Sequence, residues 1–135
     1  MSTQTKHTTS PTTLSKVAVK LFFRIADEWG LNDEQKCVLA GVNSRSTLYN
    51  WKGKVEKGSA FELNRDQLDR LSYIAGIYKG IQILFSDPKQ WKQWIKKPNN
   101  DFGGNSALEV MMQGGIVDLA DVRRYLDGWR GDHHV

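Results

Sequence analysis

The stretch Cys37-Val38-Leu39-Ala40-Gly41-Val42-Asn43-Ser44-Arg45-Ser46-Thr47-Leu48-Tyr49-Asn50-Trp51-Lys52-Gly53 carries the stop and start signals of two consecutive short helices. The first, capped by Asn32 or Asp33, turns Cys37, Val38 and Ala40 toward a core, and Gly41 stops it. Val42 and Asn43 leave room only for a tight turn. Ser44 or Ser46 then caps a second helix through Thr47, Leu48, Tyr49, Asn50 and Trp51, ending near Gly53. Cys37, small and four residues before Gly41, lets the two helices pack closely; Val42 and Leu48 plug the space between them, and Trp51 anchors the end of the second. Helix, tight turn and capped helix is the arrangement that presents a recognition helix to the major groove of DNA. It leaves Arg45, Ser46, Thr47, Tyr49, Asn50 and Lys52 as the polar set nearest DNA, with Lys54 beyond. Hydroxyls and amides at a helix start suit phosphate, because the unpaired backbone amides point the same way. Arg45 and Asn50 suit base edges, and Lys52 and Lys54 suit phosphates. A solvated polar face accounts for the same residue types, and the interval from Gly41 to Leu48 is a residue longer than is common in such motifs.

Upstream, apolar residues recur at Leu14, Val17, Ala18, Leu21, Phe22, Ile25 and Trp29, the spacing of a helix with one buried stripe, and Gly30 ends it. Lys16, Lys20 and Arg24 line another face. Residues 1–13, rich in Thr and Ser, lack the apolar core of a secretion signal and read as a disordered leader on a cytoplasmic chain. Downstream, residues 52–60 are basic, glycine-containing and poor in large apolar side chains, which predicts a domain boundary there. A long helix follows over 65–85, with Leu68, Leu71, Ile74, Ala75, Ile77, Tyr78, Ile81, Leu84 and Phe85 covering more than one face; Gly76 and Gly80 within it either permit a close helix approach or are simply tolerated mid-helix. Ser86-Asp87-Pro88 opens a short helix with Trp91, Trp94 and Ile95, which Pro98 terminates. After the loop Phe102-Gly103-Gly104-Asn105, Ser106 and Glu109 have the spacing of a capping box. A last helix carries Ile116, Leu119, Val122, Leu126 and Trp129 on one face, followed by a polar tail from Arg130 to Val135. The expected fold is all-α: a leader (1–13), a helix-turn-helix bundle (14–60) and a helical C-terminal domain (61–135).

The chain has 135 residues and a net charge of +4, and that excess is localised. Residues 1–60 hold nine Lys or Arg and five acids, whereas residues 61–135 hold ten of each sign. A basic half joined to a neutral half points to a polyanion at one end and protein contacts at the other. No apolar run is long enough to span a membrane. The single cysteine, Cys37, rules out an internal disulfide and sits in a helical stripe as a small hydrophobe. No catalytic constellation assembles and no cofactor is implied. His133-His134 lacks the further ligands of a metal site, and Gly103-Gly104 and Gly114-Gly115 lack the strand and lysine of a phosphate loop.

The C-terminal pattern is more specific. Trp94, the Pro98-Asn99-Asn100 break, Phe102 through Glu109, Met111-Met112-Gln113-Gly114-Gly115, and Val122-Arg123-Arg124-Tyr125-Leu126 to Arg130-Gly131 come in fixed order. This order resembles the C-terminal toxin-binding domain of the Xre/MbcA/ParS family of antitoxins. Gly41-Val42 through Trp51, with Arg70-Leu71-Ser72 through Ile77-Tyr78, is similar to that family's Xre-type helix-turn-helix and linker helix. Ala107 stands where most relatives have proline. The resemblance implies a homodimeric, non-enzymatic antitoxin that represses its own operon by binding operator DNA. It implies a cognate toxin that consumes NAD, of the RES type or alternatively the ParT type, whose active site the antitoxin covers. The elements implied to reach the toxin are the last helix and tail: Arg123, Arg124, Trp129, Arg130 and Gly131. For Trp129 core packing is the competing reading, and for the arginines a solvated helix face. A helix-turn-helix regulator with a dimerisation domain and no toxin is the alternative function.

Overall fold

The computed structural model describes residues 10–132. Seven α-helices are present: α1 (Pro11–Trp29), α2 (Asp33–Ala40), α3 (Arg45–Lys57), α4 (Arg65–Leu84), α5 (Pro88–Trp94), α6 (Ala107–Met111) and α7 (Ile116–Asp132), with a 3-10 turn at Asn100–Phe102. Among the described residues there is no strand, only an isolated bridge between Pro98 and Ser106. The architecture is the all-α one expected, and among the described residues no helix is long and apolar enough to cross a membrane.

Capping chemistry sets most of the boundaries. Ser10 accepts from the Thr13 amide, and Pro11 occupies the first turn, so α1 starts three residues before Leu14. Residues 11–13 are therefore helix rather than leader; the rest of the expected leader, residues 1–9, lies outside the described residues. Asn32 with Gln35, Asn64 with Gln67 and Ser106 with Glu109 form reciprocal capping boxes at α2, α4 and α6. At α3, Ser44 is the cap position, and the helix passes through Gly53 to end at Gly58. The expected stop at Gly53 fails because Val55, two residues on, still has the core to pack against. Residues 52–57 of the expected boundary are accordingly helical.

The buried faces differ from the stripes in an instructive way. On α1, Leu14 and Val17 are 41% and 56% exposed, while Val19, Phe23 and Ala26 are buried beside Phe22, Ile25 and Trp29. A helix flanked by α3 and α4 buries a wider arc than a single stripe, and the arc turns toward both neighbours. On α2 the buried residues are Leu39 and Ala40, with Cys37 and Val38 only half covered. Helix α4 is the shared wall: it packs on α1 with one side and on α7 with the other. Gly80 allows this, since a methyl group there would stand 3.4 Å from Leu126 Cβ on α7. Phe22, Leu48, Ile74, Ile77, Ile81, Ile95, Met111, Leu119 and Leu126 are all essentially inaccessible and belong to one continuous core.

The extended link between α3 and α4 is sewn to α1. Phe61 and Leu63 are buried, and the Leu63 amide donates to Ser15 Oγ at 3.0 Å, with Ser15 itself 1% exposed. Ser15→Ala keeps helix propensity but leaves a buried amide without its acceptor, a loss of about 1–3 kcal/mol. Urea denaturation should show a lower midpoint with an unchanged slope; a midpoint equal to the parent's would mean that the link is held by Phe61 and Leu63 alone.

Candidate functional site

The turn between α2 and α3 is tightly determined. Gly41 has φ 71°, the left-handed region, and there the Gly41 and Val42 amides donate to Val38 and Cys37 carbonyls at 3.2 and 3.0 Å. Arg70 of α4 lies directly across Gly41, where any side chain would strike its guanidinium. Its Nη1 donates to the Val38 carbonyl at 3.5 Å, and its Nε to Asp66 at 2.9 Å. A cation at the carbonyl end of α2 is favoured by the helix dipole. The turn that aims α3 is thus clamped by the helix that also carries α7.

At the start of α3, no side chain caps the first-turn amides; Ser44 Oγ instead lies 3.5 Å from Thr47 Oγ1. Arg45 and Tyr49 reach back to one acid on α2. Tyr49 Oη donates to Asp33 Oδ1 at 2.6 Å, and Arg45 Nη1 stands 3.7 Å from Asp33 Oδ2, with Lys36 Nζ 3.6 Å away on the other side. The Tyr49 hydrogen bond, with the two cations behind it, holds the Asp33 carboxyl below its ordinary range; the same bond pushes the Tyr49 hydroxyl up. Lys52 Nζ rests over the rings of Phe23 and Tyr49, at 5.4 and 5.9 Å.

Of the residues expected near DNA, Arg45, Tyr49 and Lys52 form this cluster, while Ser46 and Asn50 stand exposed on the outer side of α3. Thr47 and Lys54 are half-buried, and helical spacing sets them on the opposite flank from Arg45 and Lys52. Lys57 was not anticipated: it is exposed seven residues after Asn50, and stopping the helix at Gly53 hid it. Gly53, between them, meets nothing within 4 Å where a side chain would be. Asp33 and Lys36 also escaped the sequence reading, because their part depends on the distance between helices. Cys37 is half-buried and its thiol is pushed up by burial, which suits packing rather than reactivity.

On the other side of α4, Arg123 and Arg124, read as toxin contacts, have partners within the fold. Arg123 covers Gly76, where it would collide with any side chain, and pairs with Asp127 at 3.3 Å. Arg124 is 76% exposed and pairs with Asp121 at 2.9 Å. Trp129 is not core: it is 44% exposed, with its ring edge-on to Tyr125 at 6.3 Å. The last helix runs past it, so Arg130 and Gly131 extend α7 instead of beginning a tail; the Arg130 side chain lies outside the described residues, as do residues 133–135. Trp129 borders a groove of about 270 Å³ lined by Leu84, Phe85, Trp94, Tyr125 and Leu126. Trp94 stacks on Tyr125, which also meets Phe102 at 4.8 Å and donates to Asp101 at 2.7 Å. Among the described residues no three His, Cys, Asp or Glu side chains converge to hold a metal ion.

Comparison with known proteins follows the same division. Residues 10–76 match the antitoxin Xre-like helix-turn-helix domain, and residues 82–131 match the antitoxin Xre/MbcA/ParS C-terminal toxin-binding domain. The chain is also 42% identical over 113 residues to an uncharacterized protein, y4oB, of Sinorhizobium fredii (strain NBRC 101917 / NGR234), a match covering 84% of each. With an exposed polar helix in the first matched segment and an aromatic groove in the second, joined through one core, the chain belongs to the Xre/MbcA/ParS antitoxins, which pair a DNA-binding helix-turn-helix with a toxin-binding domain.

Proposed function

We propose that this antitoxin silences an NAD-consuming toxin of the RES type by covering its active site, and that as a homodimer it binds operator DNA to repress its own operon. The observation that carries the reading is the matched toxin-binding segment ending in α7, where Trp129 stands exposed at the mouth of an aromatic groove. An exposed tryptophan beside apolar surface is the kind of residue that anchors protein interfaces. Arg123 and Arg124 enter this reading differently. Arg123 is half-buried between α7 and α4 and acts by holding α7 in place, whereas Arg124 is free to exchange Asp121 for a partner acid. Arg130 and Gly131, at the end of the same helix, are the residues nearest to entering a pocket built for a dinucleotide.

The DNA-facing half of the proposal rests on the outer side of α3. Arg45, Ser46, Tyr49 and Asn50 stand where base edges would be met, and Lys52 and Lys57 where phosphates would be. Thr47 and Lys54 keep a supporting part, since both are half-covered. The open side of Gly53 lets a duplex approach the helix backbone closely.

Arg45→Ala together with Lys52→Ala should weaken operator binding about tenfold or more at physiological salt, the loss expected for a base or phosphate contact of about 1–3 kcal/mol, with no loss of helix content. An unchanged dissociation constant in a gel-shift titration would move the recognition surface away from α3. Removing residues 130–135 should abolish rescue of cells expressing the toxin encoded beside this chain, while operator binding persists. Full rescue by the shortened chain would shift the inhibitory contact to the groove or to the Phe102–Gly115 loop. Purified toxin should deplete NAD alone and stop doing so when this chain is added; a toxin that leaves NAD untouched would refute the RES assignment.

A further inference from the structure

Residues 86–100 contain Lys89, Lys92, Lys96 and Lys97 against a single acid, Asp87, a local charge of +3. Residues 61–135 sum to zero, so the rest of that half carries −3, spread from Glu62 and the start of α4 to α7. The neutrality of the C-terminal half is therefore a cancellation between a basic side and an acidic remainder. On and just after α5, Lys89, Lys92 and Lys96 follow at i, i+3 and i+7 and so share one side. The opposite side holds the half-buried Trp91 and Trp94 and the buried Ile95. All four lysines are exposed, and among the described residues none has a carboxylate within ion-pair distance. Lys92 rests on the Trp91 ring at 5.8 Å. Asp27 and Glu28 border the same hollow as Lys92, Lys96 and Lys97, but Glu28 is already engaged by Arg24 and by Tyr78.

The location of this side is informative. Lys96 Nζ donates to the Gly30 carbonyl at 3.5 Å, at the C-terminal end of α1. Gly30 is three residues ahead of Asp33, the acid that holds Arg45 and Tyr49 at the start of α3. Three residues span at most roughly 11 Å, about the length of three base pairs at 3.4 Å each. Lys96, with Lys92 and Lys97 beside it around the same hollow, thus stands at the same end of the molecule as the start of α3, and Lys89 continues that side of α5. They face away from Trp94, which stacks on Tyr125 of α7.

We propose that the lysine side of α5 is a second contact for the phosphate backbone of the operator, flanking the segment met by α3. The inference rests on the operator-binding reading and widens it: part of the segment matched as toxin-binding also touches DNA. Such a contact carries no base information, so it strengthens binding to all sequences alike and shows in the salt dependence.

The test is operator affinity of the full chain across a salt series, compared with Lys89→Ala/Lys92→Ala/Lys96→Ala and with Lys79→Ala, an exposed position on α4 outside the patch. The slope of log K against log salt should become shallower by about 0.9 for each phosphate that is no longer neutralised, thus by up to about 2.7 per bound protomer in the triple variant and little in the control. The double variant Lys89→Ala/Lys92→Ala, which spares the Lys96 bond to Gly30, should lose up to about 1.8 per bound protomer. Slopes equal to the parent's overturn the proposal. So does a triple variant that keeps its slope but no longer retains the toxin in a pull-down, which would assign the patch to an acidic face of the toxin. A parent chain with no salt-dependent operator binding would overturn the operator reading itself, and this inference with it.

Discussion

Helix α4 is the constraint on which both working surfaces depend. Its first turns hold Arg70 across Gly41, fixing the turn that aims α3, and its later turns receive α7 at Gly76 and Gly80. Between these points Leu71, Ile74, Ile77 and Ile81 fill the core from end to end. A 20-residue helix of about 1.5 Å rise per residue extends roughly 30 Å, enough to run beneath the DNA-facing and toxin-facing halves without a break. A chain of this size buries only about two-thirds of its unfolded surface, so two separate cores would each be marginal. Sharing one wall answers that problem.

Much of this was legible in the sequence, because local signals decided it. The Ser106–Glu109 capping box, Asn32 before α2, Pro88 in a first turn, and glycine at the ends of α1 and α2 all act through residues within a few positions of one another, whereas Pro11 at the start of α1 and the Asn64–Gln67 box went unread. The failures came where distant packing decides. Gly53 looked like a stop because a glycine weakens a helix by about 1 kcal/mol, but Val55 beyond it has partners in the core. Leu14 and Val17 had the right period and the wrong neighbours, since nothing local tells which side of α1 will meet α3 and α4. The same holds for the site. The polar residues proposed to face DNA could be named from α3 alone, but the hold of Asp33 on Arg45 and Tyr49 is a contact between helices. The aromatic groove likewise needs α4, α5 and α7 assembled before Trp129 reads as surface rather than core.

Charge shows this difference most directly. Summing over the second half of the chain erased the distinction between α5 and α7, because sequence halves are not surfaces. Once the helices are arranged, α5 turns its tryptophans inward and its lysines outward, while the balancing acids are spread over the other elements of that half. Electrostatic arguments about partners belong to faces, each judged within about a Debye length, roughly 8–10 Å at ordinary salt.

Asp33 has a consequence for affinity. Its carboxylate offers Arg45 and Tyr49 what a phosphate would offer, two anionic oxygens within reach of both donors. Operator binding on the proposed reading is then an exchange of one anion for another, with Asp33 as a built-in competitor. An ion pair as exposed as that between Arg45 and Asp33 is among the weakest a protein makes, so the competition lowers affinity only slightly. In return the arginine waits in one orientation instead of many, and some of the entropy of ordering it is lost before the duplex arrives. The side chain is kept in position by a rival weak enough to be displaced.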